Sequence, residues 1–398
     1  MGNDNTHQQA IKPAALLDDS SSTGKKRPWK GHKVTSRAIA ASLRRISNAK
    51  KGKRPELSRR AARMKRCGDY LVFADTVNTE TGEVTRKLRA AEFCRDRLCP
   101  MCQWRKSLVT FHQLSEIMDR VAGEHPGAVP LFLTLTVRNC ASETLGETIA
   151  LLLKSWSRMM NKAGRRKPWR VALGWFRALE ITYNQETGEW HPHIHAIVLV
   201  RESYFDTAGT DYIDHDGWVA EWRWALRADY DPSVEVHTVK GERAHAVAEV
   251  SKYAVKPGEW VDEADSSGTD ERVELLATVL KGRRLVAFGG VMKEARAALK
   301  QEDAETADLV QTGDDATVRG DLVVALDRFE WQIGVTNYVQ VSHEEVDVSA
   351  AANDACGGLF LRPQDGENQD GSVYGNAGSP AFVYTLPKSC NSKSGLGR

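Results

Sequence analysis

Between residues 128 and 240 the chain alternates polar and apolar side chains in short runs, broken by two stretches of helical periodicity. Leu131-Phe-Leu-Thr-Leu-Thr-Val137, bounded by Pro130 and Asn139, predicts a central strand. Ser142 then caps a predicted helix that puts Leu145, Ile149, Leu152, Leu153, Trp156, Met159 and Met160 on one broad face. Gly174 to Tyr183 and His191 to Val200 read as two strands joined by a turn at Gln185-Glu-Thr-Gly188. A helix from Trp218 to Ala228 and a strand from Val234 to Lys240 complete the series. Strand, helix, strand, strand, helix, strand predicts an α+β domain with the ferredoxin-like βαββαβ arrangement and an antiparallel sheet.

The strand after the turn carries unusual chemistry. Successive strand side chains point to opposite faces, so His191, His193 and His195 share one face while Ile194, Ala196, Val198 and Val200 share the other. With Glu186 and Thr187 at the hairpin tip, Glu180 lies opposite His193 and Thr182 opposite His191. A carboxylate is thereby brought to the histidines. Such a set suits Mg²⁺ or Mn²⁺ when phosphate oxygen and water fill the other positions, and it also suits zinc or a hydrogen-bonded core.

A further helix is expected from Glu242 to Val255, stopped by Pro257-Gly258. At 100° per residue, Glu249, Lys252, Tyr253 and Lys256 form one stripe beside an apolar stripe of Val247, Val250 and Ala254. The polar stripe joins a nucleophile-capable phenol to two ammonium groups and a carboxylate. Leu275 to Leu299 adds helix and an apolar turn at Gly289-Gly290, and Phe329 to Val341 is compatible with a small hairpin.

Upstream, Tyr70-Leu-Val-Phe73 and Thr85-Arg-Lys-Leu88 predict a hairpin that turns at Gly82. Cys94-x4-Cys99-Pro-Met-Cys102 follows, then a helix from Trp104 to Val121. Cys99 and Cys102 form a knuckle for one zinc, with Cys94 and Cys67 to complete a tetrahedral set and His112 the substitute should Cys67 not take part. Free buried cysteines are the alternative. Seven cysteines, an odd number with four clustered, fit a reducing compartment better than a disulfide frame.

Charge changes the picture at the two ends. The formal net charge of the 398 residues is only +2, yet seventeen Lys and Arg lie between Lys25 and Arg66 against Glu56 alone. That run predicts a flexible polyanion-binding arm over 1–60, with a solvated tail that aids solubility as the alternative, ahead of a cysteine module over 61–122 and the βαββαβ domain over 123–300. Residues 301–398, acidic and then rich in Gly, Ser and Asn, are expected to be largely flexible. No apolar run approaches the roughly 18 residues of a membrane span, and the first residues hold no apolar signal core, which excludes a membrane role and favours the cytoplasm.

Phe132-Leu-Thr-Leu-Thr136, His191-Pro-His-Ile-His-Ala-Ile-Val-Leu199 and Glu249-Val-Ser-Lys-Tyr-Ala-Val-Lys256 resemble, in order, the three motifs of rolling-circle replication initiator (Rep) proteins of small bacterial plasmids, members of the HUH endonuclease superfamily. With the cysteine segment and Leu280-Lys-Gly-Arg-Arg-Leu285, the resemblance covers about residues 60 to 300. It implies an HUH nuclease fold in which His193 and His195 bind Mg²⁺ or Mn²⁺, with Glu180 inferred as third ligand and His191 outside the pair. It implies that Tyr253 nicks one strand at the double-strand origin, keeps the 5′-phosphate and frees a 3′-hydroxyl, with Lys252 and Lys256 neutralising charge on the phosphate. Glu249 corresponds to the carboxylate that activates water in the terminating cleavage. Double- and single-stranded origin DNA, a host helicase and a DNA polymerase are the implied partners, and a homodimer is left open. Rival readings are a relaxase or transposase of the same superfamily, and a non-catalytic zinc-containing DNA-binding regulator.

Overall fold

The computed structural model of the chain describes residues 15–21, 24–49, 54–206, 211–239, 243–252, 256–262, 264–316, 318 and 320–346. In chain order its elements are α1 (Trp29–Ala49), α2 (Pro55–Arg66), β1 (Tyr70–Asn78), β2 (Val84–Ala91), α3 (Pro100–Glu124), β3 (Ala128–Thr136), α4 (Leu145–Met159), α5 (Lys167–Val171), β4 (Ala172–Asn184) and β5 (Glu189–Arg201). They continue as α6 (His215–Leu226), β6 (Val234–Thr238), α7 (Arg243–Val250), α8 (Pro257–Trp260), α9 (Ser266–Val279), β7 (Val286–Gly290), α10 (Val291–Ala298), β8 (Asp321–Gln332) and β9 (Asn337–Glu345). Two compact units result among the described residues: Arg27–Gly68 with Glu92–Gly313, and Asp69–Ala91 with the described residues that precede Arg27 and follow Gly313 in the sequence.

The larger unit is built on an antiparallel sheet of order β6-β3-β5-β4-β7. Its first four strands lie in the order fourth, first, third, second of the predicted series. One face carries Phe132, Phe176, Ala178, Ile197 and Leu199, which pack with Leu114, Ile117, Met118 and Val121 of α3, Val247 and Val250 of α7, and Met292 of α10. Each fully buried side chain of this kind contributes about 2 kcal/mol. The histidine face of β5 therefore runs into core at Ile197, and that core fixes α7 against the strand. The opposite residues Leu133, Leu135, Ile194, Ala196 and Val198 are buried as well. There α4 rests on β5, α6 rests on β6, and the two helices pack on each other.

Three expectations are corrected in this unit. Among the described residues the basic stretch is not a flexible arm: 29–49 and 55–66 are helices, with Ile39, Leu43 and Ile46 of α1 and Leu57, Ala61 and Met64 of α2 buried at helical spacing, while 1–14, 22–23 and 50–53 of the expected arm lie outside the described residues. The expected turn at Gly289-Gly290 is a fifth strand paired to β4. Glycine is required there because a Cβ on Gly289 would enter the Trp175 ring, and Gly290 (φ +56°) passes against the Leu173 carbonyl. The helix expected to reach Val255 ends at Val250, with Ser251 N still bonded to Val247 O at 3.1 Å.

The smaller unit is a sheet of order β2-β1-β8-β9, so the hairpin at 70–91 belongs with the C-terminal strands and not with the cysteines. This also corrects the expectation that little core is built after residue 300. Phe73 meets Phe329 edge-on at 6.0 Å, and Leu71, Ala325, Leu326 and Tyr338 are buried. Some of the acidic residues there serve as cross-strand partners: Asp321 pairs with buried Lys87 at 2.6 Å, and Asp327 with Arg86 at 2.5 Å. Residues 347–398, the remainder of the expected flexible region, lie outside the described residues.

Candidate metal centres

The register of the β4–β5 hairpin is set at its turn. Asn184 Oδ1 accepts the backbone N–H of Glu186 (2.8 Å) and Thr187 (3.2 Å), and Gly188, at φ +70°, donates its N–H to Asn184 O. With Asn184 opposite Glu189, the ladder puts Thr182 opposite His191, Glu180 opposite His193 and Ala178 opposite His195. The alternation of the sequence had anticipated the Glu180 and Thr182 pairings. On the other side of β5, Thr134 lies opposite His195 and Thr136 opposite His193.

Glu180, His193 and His195 are 3%, 7% and 9% exposed, and their ligand atoms converge. Glu180 Oε2 is 3.0 Å from His195 Nε2 and 3.6 Å from His193 Nε2, and the two Nε2 atoms are 3.1 Å apart. Ligands at about 2.1 Å from an octahedral cation are separated by about 3.0 Å along an edge. His193 Nδ1–H donates to the carbonyl of His191 at 3.1 Å, which leaves the Nε2 of a neutral ring as a lone pair aimed at the other two donors. His195 Nδ1 is 3.2 Å from Thr134 Oγ1. Without a cation, protons on the imidazole nitrogens must bridge this nearly dry set to the carboxylate; a cation replaces those protons and takes all three atoms as donors at once, so the residues present fit one.

Burial alone would raise the Glu180 carboxyl, but hydrogen bonds with His193, His195 and Lys256 outweigh it and hold the group well below the usual carboxylate range. Lys256 pairs with Glu180 Oε1, and this contact raises its ammonium above the ordinary value although burial works against it. His191 stands outside the convergent set: its Nδ1 lies 2.7 Å from Asn139 Oδ1. Glu249 and Lys252 pair at 2.5 Å at the end of α7. Tyr253 and Ala254 lie outside the described residues. Because α7 stops short, Lys256 does not extend its stripe; it precedes α8 and reaches the strand residue Glu180 instead.

The second group is Cys67, Cys94, Cys99 and Cys102, whose sulfurs all lie within 4.8 Å of one another. Cys67 follows α2, Cys94 precedes a left-handed Arg95 (φ 58°), and Cys99 stands at the N-cap of α3 with Pro100 next. The Sγ–Sγ distances are 3.5 Å (Cys67–Cys102), 3.6 Å (Cys67–Cys99) and 3.7 Å (Cys94–Cys102). A disulfide would need about 2.05 Å. Tetrahedral zinc with Zn–S near 2.3 Å separates its sulfurs by about 3.8 Å. Backbone N–H groups of Cys94 (3.4 Å) and Arg95 (3.2 Å) donate to the sulfurs of Cys67 and Cys102. Hydrogen bonds from Cys102, Cys94 and Cys99 pull the Cys67 thiol down, while burial pushes Cys99 and Cys102 up. The Cys67 sulfur is thus ready to ionise, while Cys99 and Cys102 wait for a compensating positive charge. His112, the alternative fourth ligand, is exposed and outside the group.

Lys33, fully buried in α1, donates to Cys67 O (2.7 Å) and Lys65 O (3.1 Å), tying α1 to the end of α2 beside the sulfurs. Sequence reasoning missed Lys33, whose signal was drowned by the surrounding charges. It also missed Thr134 and Asn139 as partners of the histidines, although the Leu-Thr-Leu-Thr alternation already placed Thr134 and Thr136 on one face.

The family described as Replication protein matches residues 85–339. The chain is 35% identical over 329 residues to Protein rep of Streptococcus pneumoniae serotype 2 (strain D39 / NCTC 7466), covering 81% of this chain and 95% of that protein. It is 34% identical to Protein rep of Bacillus amyloliquefaciens (82% and 97% covered) and 31% identical to that of Lactiplantibacillus plantarum (81% and 98% covered). No solved structure matches the chain. Among the described residues no helix is long and apolar enough to cross a membrane.

Proposed function

Because this chain belongs to the replication protein (Rep) family, we propose that it is a plasmid rolling-circle replication initiator that nicks and rejoins one DNA strand through Tyr253. The observation that carries this reading is the convergence of Glu180, His193 and His195, with Lys256 paired to the carboxylate and α7 packed over the same sheet face. Tyr253 stands three residues before Lys256, so the covalent chain keeps their Cα atoms within about 11 Å. The strand order fourth, first, third, second supports the ferredoxin-like HUH fold for the larger unit.

His193, His195 and Glu180 hold Mg²⁺ or Mn²⁺, which when bound polarises the scissile phosphate. A phenol with a pKa near 10 is only about a thousandth ionised at pH 7, a deficit of roughly 4 kcal/mol, so it needs such help. The Tyr253 oxygen attacks phosphorus, the bond from phosphorus to the 3′ oxygen breaks, and the proton lost by the phenol is balanced by one gained at the leaving oxygen. The products are a 5′-phosphotyrosine and a free 3′-hydroxyl. One phosphodiester replaces another, so the step reverses to rejoin the displaced strand. Lys252 and Lys256 offset charge on the phosphate, and Glu249 activates water in the terminating cleavage. The four cysteines hold structural zinc. The protein acts in the cytoplasm on double- and single-stranded origin DNA, ahead of host helicase and DNA polymerase.

The test is a supercoiled plasmid carrying the origin, incubated with the protein and Mg²⁺ or Mn²⁺ and analysed under denaturing conditions for a covalent adduct of protein and DNA. The wild type is expected to relax the plasmid and carry the adduct, Tyr253→Phe to do neither, and Glu249→Ala to nick but fail in termination. Normal adducts with Tyr253→Phe overturn the assignment.

A further inference from the structure

A groove of about 950 Å³ lies in the larger unit between α2, the loop that carries Cys94, and the end of α9. Seven of its lining residues are Lys or Arg and two are acidic, and no aromatic side chain lines it. Both acids are already engaged: Glu56 with Arg54 at 3.0 Å, and Asp96 with Arg60 at 2.7 Å. Several of the cations are structural. Arg97 donates to the carbonyls of Leu280 (2.7 Å) and Arg283 (2.8 Å), and Arg95 donates to Ala307 O (2.9 Å). Arg59, Arg63 and Lys281 are exposed and make no ion pair among the described residues.

Arg59 and Arg63 are four residues apart on α2 and so stand on the same helix face, about 6 Å from each other. Lys281 comes from the opposite wall. Three exposed cations without an ion-pair partner, only Lys281 being partly offset by the field of Glu56, repel one another around a groove whose other charges are consumed internally. A polyanion relieves the repulsion. Single-stranded nucleic acid is held on aromatic platforms, which this groove lacks, whereas guanidinium and ammonium groups alone suit a phosphate backbone.

We propose that this groove binds the sugar–phosphate backbone of duplex DNA, with Arg59, Arg63 and Lys281 making the phosphate contacts. Cys94 to Leu98 line the groove as well. The groove positions the protein on the duplex without reading its sequence. That the polyanion is DNA rests on the initiator reading; the groove itself does not depend on the nicking chemistry.

The experiment is fluorescence anisotropy of the full chain with a labelled 30-base-pair duplex, without divalent cation, at salt from 50 to 300 mM. Each phosphate contact contributes about 0.9 to the slope of log K against log salt. Arg59→Ala/Arg63→Ala should therefore flatten the slope by about 1.8 and weaken binding at least about tenfold near 0.1 M salt, and Lys281→Ala should flatten it by about 0.9. A single strand of the same length should bind the variants and the wild type alike. Flattened slopes in both variants support the groove whether or not the wild type cuts DNA. Unchanged slopes overturn it even if the wild type cuts. An equal loss for the single strand overturns the duplex assignment.

Discussion

The two ligand clusters of the larger unit are built on opposite plans. Four cysteine sulfurs lie within 4.8 Å of one another: three of the four residues are buried, each donor is the same soft sulfur, and a cation taken tetrahedrally by all four would have no position left for another molecule. Glu180, His193 and His195 supply only three donors, from one face of two adjacent strands, and a lysine reaches the outer oxygen of the carboxylate. A cation held by three ligands keeps positions for substrate oxygen and water. The cysteine cluster gathers chain ends, since α2, the 94–99 loop and α3 all meet there. The histidine cluster rests on strands that the surrounding core has already fixed. Closed and gathering predicts a role in stability; open and pre-fixed predicts a role in chemistry.

The sharpest way to break that contrast is His193→Ala. Nicking of the origin plasmid should fall by at least about 10³-fold, the equivalent of several kcal/mol of lost charge stabilisation, while the thermal midpoint moves by no more than a few degrees. A midpoint that collapsed together with activity would mean that the histidines are structural. Removing divalent cations with a chelator too weak to strip zinc should reproduce the variant's loss, and adding Mn²⁺ should reverse it in the wild type only.

Cys99→Ser tests the other half. Binding energy at a structural zinc is folding energy, so loss of a ligand should cost several kcal/mol and lower the midpoint by about 10 °C or more, with the zinc content of the purified protein falling from one per chain. The histidine site should lose activity only to the extent that the protein unfolds. If the variant melts as the wild type does, the cysteines are not a structural centre.

These contrasts were legible in the sequence to unequal degrees. Period-two alternation and the Gln185-Glu-Thr-Gly188 turn are local signals, and together they place Glu180 against His193 with no help from the rest of the chain. The cysteine spacing is local too. What escaped reading depends on distant partners or on a masked local pattern. β1 pairs with β8 across some 250 residues of sequence, and nothing in Asp321–Gln332 names its neighbour. The apolar positions of α1 and α2 were present at helical spacing, but seventeen like charges invited a reading by composition. Gly289 and Gly290 looked like a turn because the physical need for them, the Trp175 ring and the Leu173 carbonyl, arrives from another strand.

Lys33→Met sharpens the account of the cysteine cluster at a smaller scale. The substitution keeps the length of the stem and removes the donor that satisfies Cys67 O and Lys65 O. Leaving buried carbonyls unpaired costs about 1–3 kcal/mol, so the midpoint should drop by a few degrees with zinc content unchanged. A fall in zinc content would show that α1 helps to hold the metal ligands and does more than brace α2.

The smallest effect belongs to the support of the histidines. Thr134 reaches His195 Nδ1 from the neighbouring strand, in register with it, and its hydroxyl can fix which ring nitrogen carries the proton. Thr134→Val keeps the shape and the β-branched fit to the strand while removing the hydroxyl. Partners of this kind are worth about 10–100-fold in metal affinity, and at 3.2 Å on a neutral donor the lower end applies, so half-saturation by Mn²⁺ in the nicking assay should move about tenfold higher with the maximal rate nearly unchanged. Thr134→Ser, which keeps the oxygen, should restore it. A shift shared equally by valine and serine would trace to packing on the strand, and the open cluster would then owe its geometry to the sheet alone.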